Sequence, residues 1–274
     1  MKNKILLAND LSGYGKISMS AMMSVFSQMG YELSYLPTAL VSNTLDYGKF
    51  EILDTTEYMK NTINVWDQLG FSFDCICTGL FFNGEQAKVL TDYISRNQKD
   101  GLFCVVDPVM GDNGSLYNGV EMVTVDYMKH LCNYADVITP NFTEAQYLVG
   151  AQEISDRLPL SETDLIISKL KKITNGNIVI TGCCGDNKNF VCGYDKQKDK
   201  NFVIDYVNED LWFSGTGDIF AALVTGHMLR NDDFTLSVKK SVEILCEMLK
   251  ECYTETDKYK GIPIENFKDI INCK

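Results

Sequence analysis

Histidine is nearly absent: His130 and His227 are the only two in 274 residues. Both fall in segments that read as helices, far from any serine- or cysteine-rich loop, which leaves a hydrolytic Ser-His-Asp triad without its base. Positive charge is also scarce, with 25 Lys and Arg against 37 Asp and Glu and a formal net charge of -12. That balance speaks against nucleic acid or an anionic membrane as partner, since both reward basic patches. An anionic ligand must then be met locally, by backbone amides and metal ions. Cysteine occurs ten times but never as Cys-x-x-Cys. Cys75, Cys77 and Cys104 sit in apolar runs, so the set reads as reduced core thiols rather than a disulfide scaffold, and Cys183, Cys184 and Cys192 lack the paired spacing of a zinc site. No apolar run approaches a membrane span, and residues 5–8 are too few for a signal peptide. The expectation is a soluble, cytoplasmic protein. Repeats, low-complexity tracts and linkers are missing too, and 45% hydrophobic residues suffice to fill one large core, so a single domain over 1–274 is expected.

What is present centres on Leu211-Trp212-Phe213-Ser214-Gly215-Thr216-Gly217-Asp218, followed by an almost unbroken apolar run to Val224. Two glycines around a threonine allow a tight turn, and the run after it is a buried-helix candidate. The amides of Gly215, Thr216 and Gly217 then point at one spot, where the positive end of a helix macrodipole favours an anion. Asp218 would repel a bound phosphate unless it is there to take a proton from a nucleophile approaching it. The bland reading is a helix cap on a glycine-shaped loop.

Upstream, the chain alternates strand and helix. Strands are predicted over 5–8, 33–40, 74–78, 102–107, 136–139 and 177–181, and helices over 16–29, 56–69, 85–97, 120–134 and 162–174. A short helix after Glu144 ends at Gly150. A polar loop covers 41–54, a hairpin is formed by 190–194 and 202–207, a helix spans 234–252, and the tail from Asp257 reads as peripheral. Alternation of this kind means a mostly parallel sheet covered on both faces, which binds ligands beyond the carboxyl ends of its strands. Gly15-Lys16 is no Walker A loop, because Asp10 stands where the first glycine belongs and Ile17 where Ser or Thr should follow. Strand exits collect the polar residues: Asn9-Asp10, Thr78-Gly79, Asp107 to Asp112, Thr139 to Glu144, and Thr181-Gly182. Asp107, Asp112, Asn141 and Glu144 are oxygen donors of the kind Mg²⁺ accepts, although Asp112-Asn113-Gly114 is also an ordinary turn and Asn141 with Glu144 an ordinary helix start.

Three ordered stretches, Asp107-Pro108-Val109-Met110-Gly111-Asp112, Thr139-Pro140-Asn141-Phe142-Thr143-Glu144 and Gly215-Thr216-Gly217-Asp218, resemble the signatures of the pyridoxal kinase branch of the ribokinase-like superfamily. The resemblance runs from about Lys4 to Cys252. It implies a three-layer α/β sandwich with a small antiparallel edge, ATP and Mg²⁺ as cofactors with K⁺ as a candidate monovalent ion, and a homodimer. It further implies Asp218 as base with Gly215, Thr216 and Gly217 as anion hole. Asp107, Asn141, Glu144, Thr181, Gly182 and Thr216 would lie on the nucleotide side, and Asp107, Asp112 and Glu144 at the metal. Asp10, Ser12, Asn43, Thr44, Tyr47, Gly79 and Asp218 would face a B6 vitamer. The sequence departs from that branch at Asp10, where many members have serine, at Thr44, where histidine is common, and at Thr78-Gly79-Leu80, where tyrosine is usual in the third place. Asp10 with Gly13 and Gly15 resembles hydroxymethylpyrimidine kinases, which stand as the alternative, as does a catalytically silent ATP- or B6-binding protein.

Overall fold

The computed structural model describes residues 3–155, 157–207 and 212–273; Leu211, first residue of the glycine-turn stretch, lies outside them. The elements in chain order are β1 (Lys4–Ala8), β2 (Leu11–Ser12), α1 (Ser18–Gln28), β3 (Glu32–Tyr35), β4 (Ala39–Val41), β5 (Ile52–Asp54), α2 (Thr56–Leu69), β6 (Cys75–Thr78), α3 (Gly84–Asn97), β7 (Phe103–Val106), β8 (Gly111–Asp112), β9 (Ser115–Leu116), α4 (Val123–Cys132), β10 (Val137–Ile138), α5 (Phe142–Leu148), α6 (Thr163–Leu170), β11 (Asn177–Gly185), β12 (Lys188–Asp195), β13 (Lys200–Tyr206), α7 (Thr216–Leu229), α8 (Phe234–Glu251) and α9 (Lys268–Cys273). Local chemistry sets several ends. Asn83 and Asp233 cap α3 and α8 by accepting the amides of Gln86 and Leu236, and Gly70, in the left-handed region at φ 71°, closes α2.

The main sheet runs β13-β12-β11-β10-β7-β6-β1-β3. The pairs from β3 to β11 are parallel, and β12 and β13 add the antiparallel edge. Its inner strands β1, β6, β7 and β10 are buried on both faces, and alternate residues feed two cores. Leu6, Ile76, Cys104 and Val106 pack with residues of α2 to α6, while Ile5, Leu7, Cys77 and Val105 pack with residues of α1, α7 and α8. Helices on two sides of one sheet make the three layers expected.

The structure corrects the sequence reading at three places. The stretch 33–40 is not one strand: it divides at Leu36-Pro37 into β3 in the main sheet and β4 in a small sheet of order β2-β4-β5. Proline lacks the amide a continuing ladder needs, so the chain leaves one sheet there and enters another. Part of the loop 41–54 is strand, β5, antiparallel to β4. The tail is not peripheral either, since Ile262, Ile264, Phe267 and Ile271 are buried in the core that holds α1 and α7. At about 1.5–3 kcal/mol for each fully buried large apolar side chain, these four are a sizeable part of a domain's net stability.

α7 is buried nearly all round: Ile219, Phe220, Ala221, Ala222, Leu223 and Val224 are each 3% exposed or less. It packs between α1 and α8. The start of this helix is therefore held rigidly at the carboxyl edge of the sheet. Among the described residues no helix is long and apolar enough to cross a membrane.

Candidate active site

Gly215 precedes α7 with φ 83°, and a Cβ there would stand 3.0 Å from the Lys16 carbonyl oxygen and the Ile17 Cα. Both the conformation and the space select glycine. The turn leads into α7 at Thr216, so the first amides of a buried helix face the carboxyl edge with the macrodipole behind them.

Asp218, in the first turn of α7, is gripped at both oxygens. Oδ1 accepts from Asn9 Nδ2 at 3.0 Å, and Oδ2 accepts from the Ser18 amide at 2.9 Å. Loss of solvent around the carboxyl nonetheless raises its pKa to about 6. Two more acids share its field. Asp10, at the end of β1, is 4% exposed, its Oδ1 is buried without a hydrogen-bond partner, and burial followed by the charge of Asp218 raises its pKa to about 7. Asp107, at the end of β7, is pushed well above the usual carboxylate range by the same two causes in the same order. It lies beside the turn: its Oδ2 is 4.0 Å from the point where a Cβ on Gly217 would stand. The structure thus brings Asp10 and Asp107, from two strand exits, together with Gly217 and Asp218 from the start of α7.

Asn141 and Glu144 form a reciprocal helix cap on α5. Asn141 Oδ1 accepts the Glu144 amide, and Glu144 accepts the Asn141 amide on one oxygen and the Met110 amide on the other. Asn141 Nδ2 also donates to the Gly111 carbonyl at 2.7 Å. Glu144 is 3% exposed, and burial, then the charge of Asp107, raises its pKa. The pair therefore ties the 107–112 loop to the 141–144 loop. Asp112 is exposed in the tight β8–β9 hairpin, whose Asn113-Gly114 turn has φ 50° and 80°, and it accepts the Asn113 amide. Thr181 bridges to Asn141 and Gly182 has φ 66°, both at the irregular point of β11. Among the described residues no group of three or more His, Cys, Asp or Glu side chains is placed to hold a metal ion unaided.

On the other flank, Ser12 is buried and donates to the Tyr14 carbonyl. Asn43 donates to the carbonyls of Thr44 and Lys49, which closes the loop between β4 and β5 on itself. Thr44 donates to Asp46, and Asp46 accepts from Ser214, the residue before the glycine turn. Tyr47 donates to Asp257 at 2.7 Å and packs against Tyr14 and Tyr259. Gly79 faces the Asn9 side chain, and a Cβ on it would stand inside van der Waals contact with that amide group.

Three participants escape a reading of the sequence. Asn9 stands in the first strand-exit pair, but nothing local shows that its side chain reaches Asp218. Ser18 has φ 48°, a costly conformation for a non-glycine residue, and no sequence signal marks it. The tail is the third. Lys16 N donates to Lys260 O at 2.7 Å and Ser214 N to Lys258 O at 3.1 Å, with Gly15 and Gly261 bare at the crossing. The glycine after β1 thus serves backbone packing, not a phosphate loop.

A model of the phosphomethylpyrimidine kinase family matches residues 19–262. The chain belongs to that family. Among relatives of this phosphomethylpyrimidine kinase family member, the pyridoxine/pyridoxal/pyridoxamine kinase of Bordetella pertussis is 25% identical over 86% of this chain and 85% of its own. Pyridoxal kinase from Lactobacillus plantarum superposes with a TM-score of 0.89 at 26% identity, covering 99% and 97% of the two chains. A Bacteroides thetaiotaomicron protein solved with pyridoxal gives 0.91 at 28% identity, covering 100% and 96%. The fold is ribokinase-like and the chain is a kinase-type phosphotransferase.

Proposed function

We propose that this enzyme transfers the terminal phosphoryl group of ATP to the hydroxymethyl group of pyridoxal, pyridoxamine or pyridoxine. The observation that carries the reading is Asp218 held at both oxygens beside the amide-lined start of α7. Relatives that act on or bind B6 vitamers support it. The ring lies over the exits of β1 and β6 and under the loop that carries Asn43, Thr44 and Tyr47. Its hydroxymethyl group must come within about 3 Å of Asp218, which takes the proton while the amides of Gly215, Thr216 and Gly217 hold charge on the transferring group. Asp10 offers its unpartnered oxygen to a polar edge of the ring, and Ser12 and Gly79 border the same space. Asn141, Thr181 and Gly182 border the nucleotide side with Thr216.

Magnesium, when bound, would offset the negative charge of the phosphate groups. Asp107 and Asp112 would hold it as one or two carboxylate donors alongside waters, whereas Glu144, with both oxygens engaged by amides, would act on it through water. The reading includes a homodimer in the cytoplasm; the nine cysteines whose side chains the structure describes form no disulfide, in keeping with a reducing compartment. A second reading, a hydroxymethylpyrimidine kinase, draws on the family model's description and on Asp10 in place of serine, and is no better supported than the first.

Pyridoxal 5'-phosphate formed from pyridoxal and ATP, measured by mass spectrometry, tests the proposal. Asp218→Asn is expected to lower turnover by about 10²- to 10⁴-fold with ATP affinity kept. Near-normal turnover in that variant would remove Asp218 from the role of base.

A further inference from the structure

We propose that Asn9 is a positioning residue that aims Asp218, and that the bare Cα of Gly79 makes room for it. The inference rests on the reading of Asp218 as base. Asn9 is 1% exposed. Its Oδ1 accepts two backbone amides, those of Asp10 and Leu80, each at 2.9 Å. With the oxygen committed to two donors, the side-chain nitrogen has one direction left, toward Asp218 Oδ1 at 3.0 Å, and its other proton faces the weak acceptor Met22 Sδ at 3.8 Å. The exits of β1 and β6 thereby fix the orientation of a side chain on α7 more than 200 residues away in sequence.

Gly79 is what permits this. Its amide donates to the Ala8 carbonyl at 3.0 Å, which draws the two strand exits together, and any side chain at 79 would displace the Asn9 amide group. The second oxygen of Asp218 is held by the Ser18 amide, from a residue kept at φ 48°. Strain of this kind persists only where the surroundings over-determine it, and here it accompanies the second half of the grip. The carboxylates facing Asp218 are Asp10 and Asp107, and both repel it. Donors at Asn9 and Ser18 therefore hold the carboxylate against its neighbours in one orientation.

Asn9→Asp separates this role from a structural one. The substitution is isosteric and keeps an oxygen for the amides of Asp10 and Leu80, but it sets an acceptor against Asp218 where a donor stood. A residue that only caps those amides would leave turnover unchanged. The expected result is a fall in kcat of about 10- to 100-fold, the weight of one hydrogen bond to a charged group, with the KM for ATP unchanged. In the background of Asp218→Asn, adding Asn9→Asp is expected to cost nothing more, because both act through one group. Gly79→Ala is expected to lower kcat in the same way; a raised KM for the vitamer with kcat kept would instead make Gly79 a ring contact and overturn its clearance role. Should Asn9→Asp not fold, Asn9→Ala, which has no side-chain donor, is read by the same split. Unchanged kcat, or losses that multiply in the double variant, would overturn the proposal. If Asp218→Asn itself keeps turnover, the base reading fails first; if only the Asn9 variants keep it, the positioning role fails alone.

Discussion

Asp218 accepts two hydrogen bonds and still has a pKa raised to about 6, so burial outweighs the donors. On the proposed reading Asp218 is the base, and a base must be ionised to work. Its raised pKa therefore means activity that is present above about 6 and lost as pH falls through that value. The expected profile of kcat/KM declines about tenfold per unit on the acid side, and a flat profile between about pH 5 and about pH 8 would contradict it. The acid limb is shared with Asp10 and Asp107, whose charges face the same carboxylate. At this scale the sequence was legible where the chemistry is contiguous. Gly215, Thr216, Gly217 and Asp218 are neighbours in the chain, and turn geometry plus helix polarity gives their direction. Asn9 was not legible as a partner, because its direction is set by Leu80 and Gly79, which lie beyond any local pattern.

Helices with a full apolar stripe were legible as elements: α2 is found over Thr56–Leu69 as its periodicity and Gly70 predict. Short strands were not. β5 has three residues, and Leu53 in it is 60% exposed, so neither length nor alternation announces it. The tail failed for a related reason, since Ile262 precedes a 3₁₀ turn that holds Ile264 and Phe267, and Ile271 lies in the six-residue α9, with no single period. Its role is nonetheless specific. Gly261, at φ 81° and ψ -179°, occupies a region that is essentially glycine-only, and a Cβ there would press on the Lys16 carbonyl beneath the glycine turn. Gly261→Ala is expected to destabilise the fold by about 1–3 kcal/mol and to lower turnover together with it, because the same backbone carries Ser214 and Lys16. Thermal melting and kcat measured on one preparation check this. A variant that melts like the wild type and turns over normally would show that the tail does not support the site.

At the scale of the molecule, an acidic chain, on the proposed reading, handles a polyanionic substrate by concentrating its amide donors at one helix start and its acids where a metal and a proton must go. The parallel sheet makes this possible: its carboxyl edge gathers Asp10, Gly79, Asp107 and Asn141 from four strand exits and Thr181 from the irregular point of β11, and α7 brings Asp218 to meet them. The alternation of strand and helix predicted that edge, while the choice of substrate depends on side chains such as Asp10 whose partners the strand pattern does not specify. The central claim, phosphoryl transfer to a B6 vitamer, is tested most directly by measuring kcat/KM for ATP-dependent phosphorylation of pyridoxal, pyridoxamine, pyridoxine and hydroxymethylpyrimidine on the same enzyme, with Asp10→Ala alongside. The predicted result is that a B6 vitamer leads the ranking and that Asp10→Ala reorders it, since a ligand contact is lost. Hydroxymethylpyrimidine in first place, or ATP left unconsumed with every substrate, would contradict the account.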